Sequence, residues 1–207
     1  MSDSINPLLA RAYDLKGKDD VLALYEEWAE TYDSDTLDQF GYVGPAIAAE
    51  ALAELIVDGD LVLDAGCGTG LVGREVASRT AAVIDGIDLT PHMLRKAEAT
   101  GVYRNLTAAD LTQTLDIADG TYDAAICVGT LTDGHVGPEA IDELVRVVKA
   151  DGHLVASITS LVWETHGYRS RVDELVEAGT VTVRSLDERP YHVKEDLTCR
   201  LVVLRVA

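Results

Sequence analysis

The segment at residues 61–70, LVLDAGCGTG, constrains the fold more than any other part of the chain. Its apolar start predicts a buried strand that ends at Asp64, and a helical pattern begins at Leu71. Glycines stand between them, at positions 66, 68 and 70. A backbone without Cβ atoms lets a ligand approach closely, and the next helix N-terminus offers unpaired N–H groups. The segment therefore predicts a strand–turn–helix unit that binds a nucleotide-like ligand.

Composition narrows the class of protein. The 207 residues are 47% hydrophobic, which suits one domain with a core. We expect a helical cap over residues 1–58 and a core over 59–207. A net charge of −19 disfavours a nucleic-acid acceptor, because such a surface repels phosphate. No apolar run could span a bilayer and no signal peptide is visible, so we expect a cytoplasmic protein without a membrane partner. Cysteine and histidine spacings predict free thiols and no metal site, and oligomeric state stays open.

Apolar runs alternate with helical patterns, which predicts an α/β fold with a mostly parallel sheet. The expected strands cover residues 61–65, 82–89, 104–109, 123–128, 152–159, 180–185 and 197–206. The connection between the last two strands, a charged segment at 187–196, is too short for a crossover helix. We therefore expect these two strands to form an antiparallel pair. Helices are expected at 45–57, 71–79, 91–100, 138–149 and 169–178. Before them, Tyr25, Trp28, Ala29 and Tyr32 share one face of a predicted helix.

The glycine turn fits two ligands. From Gly68 to Gly73 it matches G-x-G-x-x-G, the dinucleotide fingerprint. That register puts the first glycine three residues beyond Ala65, whereas the fingerprint puts it at the strand end. An acid at the strand end, Asp64, would also repel a pyrophosphate but suits a cationic or zwitterionic ligand. Charge therefore favours a nucleoside that carries an amino acid, with a nicotinamide dinucleotide as the alternative.

LVLDAGCGTG resembles the first motif of the class I S-adenosylmethionine-dependent methyltransferases, D-x-G-C-G-T-G. Further resemblances are GIDLTPHMLRKA to the second-strand motif, AADL to the adenine-side motif, TYDAAICVG to the fourth strand, and ELVRVVKADGHLVASI to the segment around the fifth. Together they cover most of the chain. The resemblance implies a Rossmann-like, doubly wound sheet of seven strands, mostly parallel with an antiparallel C-terminal pair, under an N-terminal helical cap. It also implies S-adenosylmethionine as cofactor and, with the acidic surface, a small-molecule methyl acceptor.

Cofactor contacts follow from the same motifs. Asp88, twenty residues after Gly68, can accept hydrogen bonds from ribose hydroxyls, or it caps the helix that begins near Thr90. Asp110 would face the adenine, or it is a turn acid. The resemblance implies that Asp64 and Gly66 hold the amino-acid end. Cys67 is flanked by glycines and suggests a nucleophile, but we expect it to be a small residue that fits a crowded turn. Trp28 and Tyr32 would cap the pocket, fasten the first helices to the core, or do both. The full predicted set is Trp28, Tyr32, Asp64, Ala65, Gly66, Cys67, Gly68, Gly70, Asp88, Leu89, Met93, Asp110, Leu111 and Val128.

Catalytic residues are less clearly marked. His135 and Asp133 follow the fourth strand and are the titratable groups best placed to take a proton from an acceptor, although the segment also reads as a surface loop. An Asn-Pro-Pro-Tyr motif, which the family uses on nucleobase amines, does not occur. Two alternatives remain open: a cofactor-binding partner or regulatory module without catalysis, and an NAD-dependent oxidoreductase.

Overall fold

The computed structural model describes residues 7–12, 15, 17–132 and 134–207, with the backbone alone for Pro7, Leu9, Ala10 and Lys18. Before the sheet lie four helices and one π-helical segment, Asp35–Phe40. These helices are α1 (Pro7–Ala12), α2 (Lys18–Trp28), α3 (Tyr32–Ser34) and α4 (Gly44–Ala53). The helices that follow are α5 (Leu71–Ala77), α6 (Pro91–Ala99), α7 (Ala140–Val147), α8 (Ser160–Trp163) and α9 (Tyr168–Glu177).

Seven strands form one sheet, as the sequence predicts. They are β1 (Leu61–Ala65), β2 (Val83–Asp88), β3 (Tyr103–Ala108), β4 (Tyr122–Leu131), β5 (Val148–Thr159), β6 (Val181–His192) and β7 (Leu197–Val206). Their order is β3-β2-β1-β4-β5-β7-β6. The first five strands are parallel, and β7 is antiparallel to both of its neighbours. The order reverses direction between β1 and β4, which is where open α/β sheets place their ligands.

Helices cover both faces of the sheet. Val62 and Leu63 are neighbours in β1 with no exposed surface, and their side chains join different core clusters because successive side chains of a strand point to opposite faces. Val62 packs with Leu52 of α4 and Val76 of α5, whereas Leu63 packs in the cluster that contains Leu144 of α7. None of the helices in the described part of the chain has the length and apolar content needed to cross a bilayer.

One helical prediction in the N-terminal region is wrong. The helix expected through Tyr32 stops at Trp28, and a turn at residues 29–31 separates it from α3. The turn is fixed by Asp35, whose Oδ2 accepts hydrogen bonds from Trp28 Nε1 at 2.8 Å and Thr31 Oγ1 at 2.9 Å. The aromatic face nevertheless stays together, since the rings of Trp28 and Tyr32 lie 5.0 Å apart.

Two boundaries in the second half of the chain also differ from the prediction. Strand β5 begins at Val148, inside the expected helix, because Val148 pairs with Tyr122 of β4. Strand β6 continues through the charged segment to His192. There the charged side chains face outwards while Tyr191 and His192 are buried. The chain reverses only at residues 193–196, with Asp196 in the left-handed region at φ 52°.

Candidate functional site

A cavity of about 240 Å³ opens at the carboxyl ends of β1, β2 and β4. Nine of the fourteen predicted cofactor contacts line it, namely Tyr32, Gly66, Gly68, Asp88, Leu89, Met93, Asp110, Leu111 and Val128. The other five, Trp28, Asp64, Ala65, Cys67 and Gly70, lie beside it without lining it. The motifs thus converge at the reversal in strand order.

Backbone hydrogen bonds hold the glycine turn against β2. The N–H groups of Gly66 and Cys67 donate to the Ile87 carbonyl at 2.8 and 3.0 Å. Gly66 has φ 76°, and a Cβ atom there would stand 2.1 Å from Thr130 Oγ1. Gly68 has φ 53°, but a Cβ atom there would meet nothing within 4 Å. Close packing thus requires glycine at position 66, whereas at 68 glycine leaves open space beside the cavity wall.

The third glycine of the dinucleotide match has a packing role. A Cβ atom on Gly73 would stand 2.3 Å from the Tyr103 hydroxyl. That hydroxyl donates to Asp64 Oδ2 at 2.6 Å. Gly73 therefore lets α5 lie against Tyr103, which is the helix–strand packing role of the third glycine.

Asp88 organises the turn from the end of β2. Its Oδ2 accepts the N–H of Gly68 at 2.9 Å and its Oδ1 accepts the N–H of Thr90 at 2.7 Å. Burial raises the pKa of Asp88, and these two backbone donors oppose that rise. The carboxylate therefore binds the N-cap residue of α6, as the capping alternative expects, and it also lines the cavity, where its binding to a ribose stays a prediction.

Asp64 lies behind the cavity wall and is completely buried. Burial raises the pKa of this carboxyl to about 7, Tyr103 opposes the rise, and the neighbouring Asp88 adds to it. Its Oδ1 has no hydrogen-bond partner among the described residues. A buried oxygen without a partner is costly, so the fold satisfies this carboxylate only through Oδ2, which Tyr103 binds.

Apolar residues form the opposite side of the cavity. Met93 and Leu111 are buried, and both line it together with Leu89. Asp110 adds a carboxylate that also makes a local turn, because its Oδ1 accepts the N–H of Thr112 at 3.0 Å and the Thr112 hydroxyl at 2.6 Å. The wall can cover a flat base, and Asp110 is close enough to the cavity to bind a polar edge of that base.

The residues around the cavity fit S-adenosylmethionine. The space beside Gly68, the acid at Asp88 and the apolar wall at Met93 suit a nucleoside. A metal does not fit in the same way, since the described residues contain no cluster of three or more His, Cys, Asp or Glu side chains. Cys67, Cys127 and Cys199 are free and buried, and burial raises the pKa of each thiol.

The N-terminal helices are held on the cavity by polar contacts. Asp33 accepts hydrogen bonds from the Thr69 hydroxyl in the glycine turn and from Arg74 of α5. Glu30 pairs with Lys96 at 2.7 Å and with His92 at 3.1 Å, both on α6. These contacts place Tyr25 and Tyr32 over the cavity, where both line it.

His135 lies at the same end of the sheet as the cavity and lines it. Its Nε2 shares a hydrogen bond of 2.8 Å with the Tyr25 hydroxyl. The loop is therefore joined to the helical cap rather than being a solvated turn. Asp133, predicted beside it, lies outside the described residues.

A second, smaller chamber of about 50 Å³ adjoins the first. The two share Tyr25, Tyr32, Gly129 and His135. The chamber is also lined by residues that do not line the cavity, among them Trp28, Tyr42, Tyr191 and His192. Sequence reasoning missed the last three, because Tyr191 and His192 were assigned to a charged connection. Two adjacent aromatic rings in a charged segment were the signal in the sequence that could have indicated a buried position.

Comparisons with known proteins agree with this geometry. Residues 62–152 match the model of a methyltransferase domain family. Human Methyltransferase-like protein 27 is 35% identical over 161 residues, which are 76% of this chain and 63% of that protein. Demethylmenaquinone methyltransferase of Tropheryma whipplei strain Twist is 30% identical over 139 residues, which are 66% of this chain and 57% of that enzyme. The chain thus spans less than two thirds of the length of these curated relatives.

Solved structures share the fold. One chain from the complex between the Haloferax volcanii Trm112 methyltransferase activator and a methyltransferase aligns with a TM-score of 0.65 at 17% identity, over 88% of this chain and 97% of that one. Within the family, the segments WAETYD and GTLTDGHV resemble the methyltransferase-like protein of the Williams–Beuren region, and the similarity to human Methyltransferase-like protein 27 agrees with a relative of this kind. The match over residues 62–152, the curated relatives and the fold together support a class I methyltransferase.

Proposed function

We propose that this protein transfers a methyl group from S-adenosylmethionine to a small-molecule acceptor. The observation that carries the proposal is the position of Asp88, which braces the glycine turn through Gly68 and also lines the cavity at the reversal in strand order. An acid there can bind ribose hydroxyls while the turn keeps room for the rest of the nucleoside. Eight of the other predicted contacts line the same cavity.

Different residues would bind different parts of S-adenosylmethionine. Asp88 would hold the ribose, Met93 and Leu111 would cover the adenine, and Asp110 would bind its polar edge. Asp64 does not line the cavity, so it would favour the ammonium end through the negative charge of its carboxylate. Bound S-adenosylmethionine supplies a methyl group that is already activated on a sulfonium, so the protein chiefly orients the acceptor and excludes water. Tyr25 and Tyr32 of the cap are placed to exclude it.

Proton removal is assigned to the loop after β4. His135 lines both spaces and is oriented by the Tyr25 hydroxyl, which supports its role as a base for an acceptor that carries a proton. Asp133 remains a second proposed group.

The acceptor is proposed to be small because the chamber has a volume of about 50 Å³. The net charge of −19 also disfavours a nucleic acid. A relative is named for demethylmenaquinone, a small-molecule acceptor. We further propose a cytoplasmic protein in which residues 1–58 cap a core at 59–207. Free, buried cysteines are consistent with a reducing compartment.

Calorimetry tests the proposal directly. S-adenosylmethionine and S-adenosylhomocysteine should each bind with one site per chain, and NAD should not displace them. Absence of heat with both ligands at high protein concentration would overturn the proposal, and displacement by NAD would favour the oxidoreductase alternative.

One observation keeps a second candidate in view. A structural neighbour comes from a complex with the Trm112 methyltransferase activator, which is compatible with a cofactor-binding subunit that lacks catalysis of its own. Incubation with S-adenosylmethionine and a metabolite extract separates the two, because an enzyme releases S-adenosylhomocysteine and a methylated product. Tight cofactor binding without product, restored by a partner protein, would favour the second candidate.

A further inference from the structure

A groove between α4 and the last two strands is a third space in the molecule. Its volume is about 380 Å³, within the range of roughly 300–1,000 Å³ that is typical of small-molecule sites. In the described part of the chain it shares no lining residue with the cavity or the chamber. The groove is therefore separate from the site proposed for methyl transfer, and its own walls indicate what it can bind.

One wall of the groove is a single face of α4 and of the turn that follows it. Its residues are spaced at i, i+3, i+4, i+7 and i+8, namely Ile47, Glu50, Ala51, Glu54 and Leu55. Glu50 and Glu54 are exposed and lie one helical turn apart. This wall therefore presents two carboxylates beside an apolar strip.

The other wall is one face of β6. Ser185, Asp187 and Arg189 are alternate residues of this strand, so their side chains share that face. A β-bulge adds Arg184 to the same wall, because the pairing with β7 shifts register between Val183 and Ser185. Bulges re-aim side chains and are frequent beside functional sites. This one brings a second guanidinium group into the groove.

Arginines without a carboxylate partner are rare in this chain. Nine arginines form ion pairs with a carboxylate. Arg184 and Arg189 form none with any described residue, although three carboxylates line the same groove. Opposite charges thus face one space without contacting each other, which leaves room for a ligand between them.

The hydrogen-bond partner of Arg184 does not neutralise its charge. Arg184 Nη1 donates to His153 Nε2 at 3.2 Å. Burial lowers the pKa of His153, and the nearby guanidinium groups of Arg184 and Arg205 lower it further. A neutral imidazole accepts the hydrogen bond but carries no negative charge. The groove therefore keeps two positive charges on one wall and carboxylates on the other.

We propose that the groove binds a small zwitterion, an amino acid or a short peptide, with its carboxylate at Arg184 and Arg189 and its ammonium group at Glu50 and Glu54. A simple anion would meet the three carboxylates of the groove and a protein of net charge −19. A simple cation would meet two guanidinium groups. A zwitterion is attracted by both walls, and its carbon chain can cover the apolar strip. This inference stands independently of the proposed function.

NMR titrations of isotope-labelled protein test the proposal, with the cofactor cavity first filled by one equivalent of S-adenosylhomocysteine. Leucine and glycyl-leucine are zwitterions of two lengths, and N-acetylleucine and leucinamide are the matched anion and cation. We expect at least one zwitterion to bind with a Kd on the order of 1 mM, because exposed ion pairs are weak. It should shift the amide signals of Ser185 and Asp187. Both single-charge probes should bind at least about fivefold more weakly.

Two variants separate the two ends of the ligand. R189Q should weaken binding of the zwitterion about fivefold and reduce its advantage over leucinamide, because the carboxylate loses a partner. E54Q should weaken it similarly and reduce its advantage over N-acetylleucine. The matched controls are R95Q and E98Q on α6, since Arg95 and Glu98 are exposed and line none of the three spaces. Both controls should bind the zwitterion like the wild type.

The inference would be overturned by equal binding of the single-charge probes, by signal shifts that lie outside the groove, or by wild-type binding in both R189Q and E54Q. Absence of binding by both zwitterions at about tenfold the expected Kd would overturn it as well. Should a variant fail to fold, the shifts and the probe preference of the wild-type protein still decide. Failure to bind S-adenosylhomocysteine would overturn only the proposed function, because the same titrations can be run on the free protein.

Discussion

The cavity and the chamber are neighbours built in opposite ways. The cavity takes its glycine turn and its acids from residues 64–112, a contiguous part of the chain that supplies three adjacent strands. The chamber takes its walls from segments that are far apart, since Trp28 and Tyr42 precede the sheet whereas Tyr191 and His192 close it. A site built from one contiguous segment can be recognised as motifs in the sequence. A site built from distant segments can be recognised only in the folded structure.

Their electrostatics also differ. Beside the cavity, Asp64 and Asp88 are buried acids whose pKa values are raised by burial. In the chamber, His192 is a buried base whose pKa is lowered by burial. Burial favours the neutral form in each case, but the consequences for stability have opposite signs. Variants can therefore separate the two regions.

The largest expected effect comes from the glycine turn. Gly66→Ala would place a Cβ atom 2.1 Å from Thr130 Oγ1 at a positive φ, which should lower the free energy of unfolding by roughly 2–5 kcal/mol from overpacking and left-handed strain. Gly68→Ala meets open space and should lose only about 1–2 kcal/mol. Urea unfolding measures both variants. Equal destabilisation would contradict the assignment of close packing to Gly66 alone.

Asp64 should make stability fall as the pH rises. Its pKa is 3.8 in the unfolded chain and about 7 in the fold, so between these values the folded state binds more protons than the unfolded state. Over the two units from pH 5 to 7 this amounts to about 3 kcal/mol at about 1.4 kcal/mol per unit. D64N lacks the titration, so it should match the wild type at pH 5 and exceed its stability by about 3 kcal/mol at pH 8. An unchanged difference between the two pH values would rule out a raised pKa.

His192 should have the reverse effect. Its pKa is 6.5 in the unfolded chain and about 4 in the fold, so the unfolded state binds more protons in that window and stability falls as the pH is lowered. Between pH 7.5 and 5 the wild type should lose about 2 kcal/mol relative to H192F, counting about 1.4 kcal/mol per unit below 6.5. Unfolding curves at the two pH values measure the loss. A wild type that gains stability relative to H192F at pH 5 would mean that His192 is charged in the fold.

The smallest effect should come from the contacts of the cap. Asp33→Ala removes the acceptor of the Thr69 hydroxyl and of Arg74, at a cost of about 1 kcal/mol because the ion pair is partly exposed. Amide hydrogen exchange in α2 should become faster in D33A. The exposed Asp38 is the matched control, and equal acceleration in D38A would show that Asp33 has no special part in holding the cap.

The sequence predicts the cavity better than the chamber for physical reasons. The glycines at residues 66–70 predict the turn beside the cavity. The last two strands are too close in sequence for a crossover helix, which predicts their antiparallel pairing. The boundary of β6 was wrong because charged residues were taken for a loop, although alternate side chains of an edge strand can face water while Tyr191 and His192 are buried. The sequence also does not reveal that Asp64 is buried and accepts a hydrogen bond from Tyr103, which lies 39 residues away in the chain.

The central claim is that the two neighbouring spaces bind different partners, and the affinity for S-adenosylmethionine in two variants tests it most directly. By calorimetry, D88N should weaken cofactor binding on the order of 10–100-fold, the range for hydrogen bonds to a charged group. H192F should stay within about threefold of the wild type, and so should D85N, whose parent carboxylate on the same strand binds Arg104 and Asn105 instead. Wild-type affinity in D88N, or a comparable loss in H192F, would contradict the division of the site.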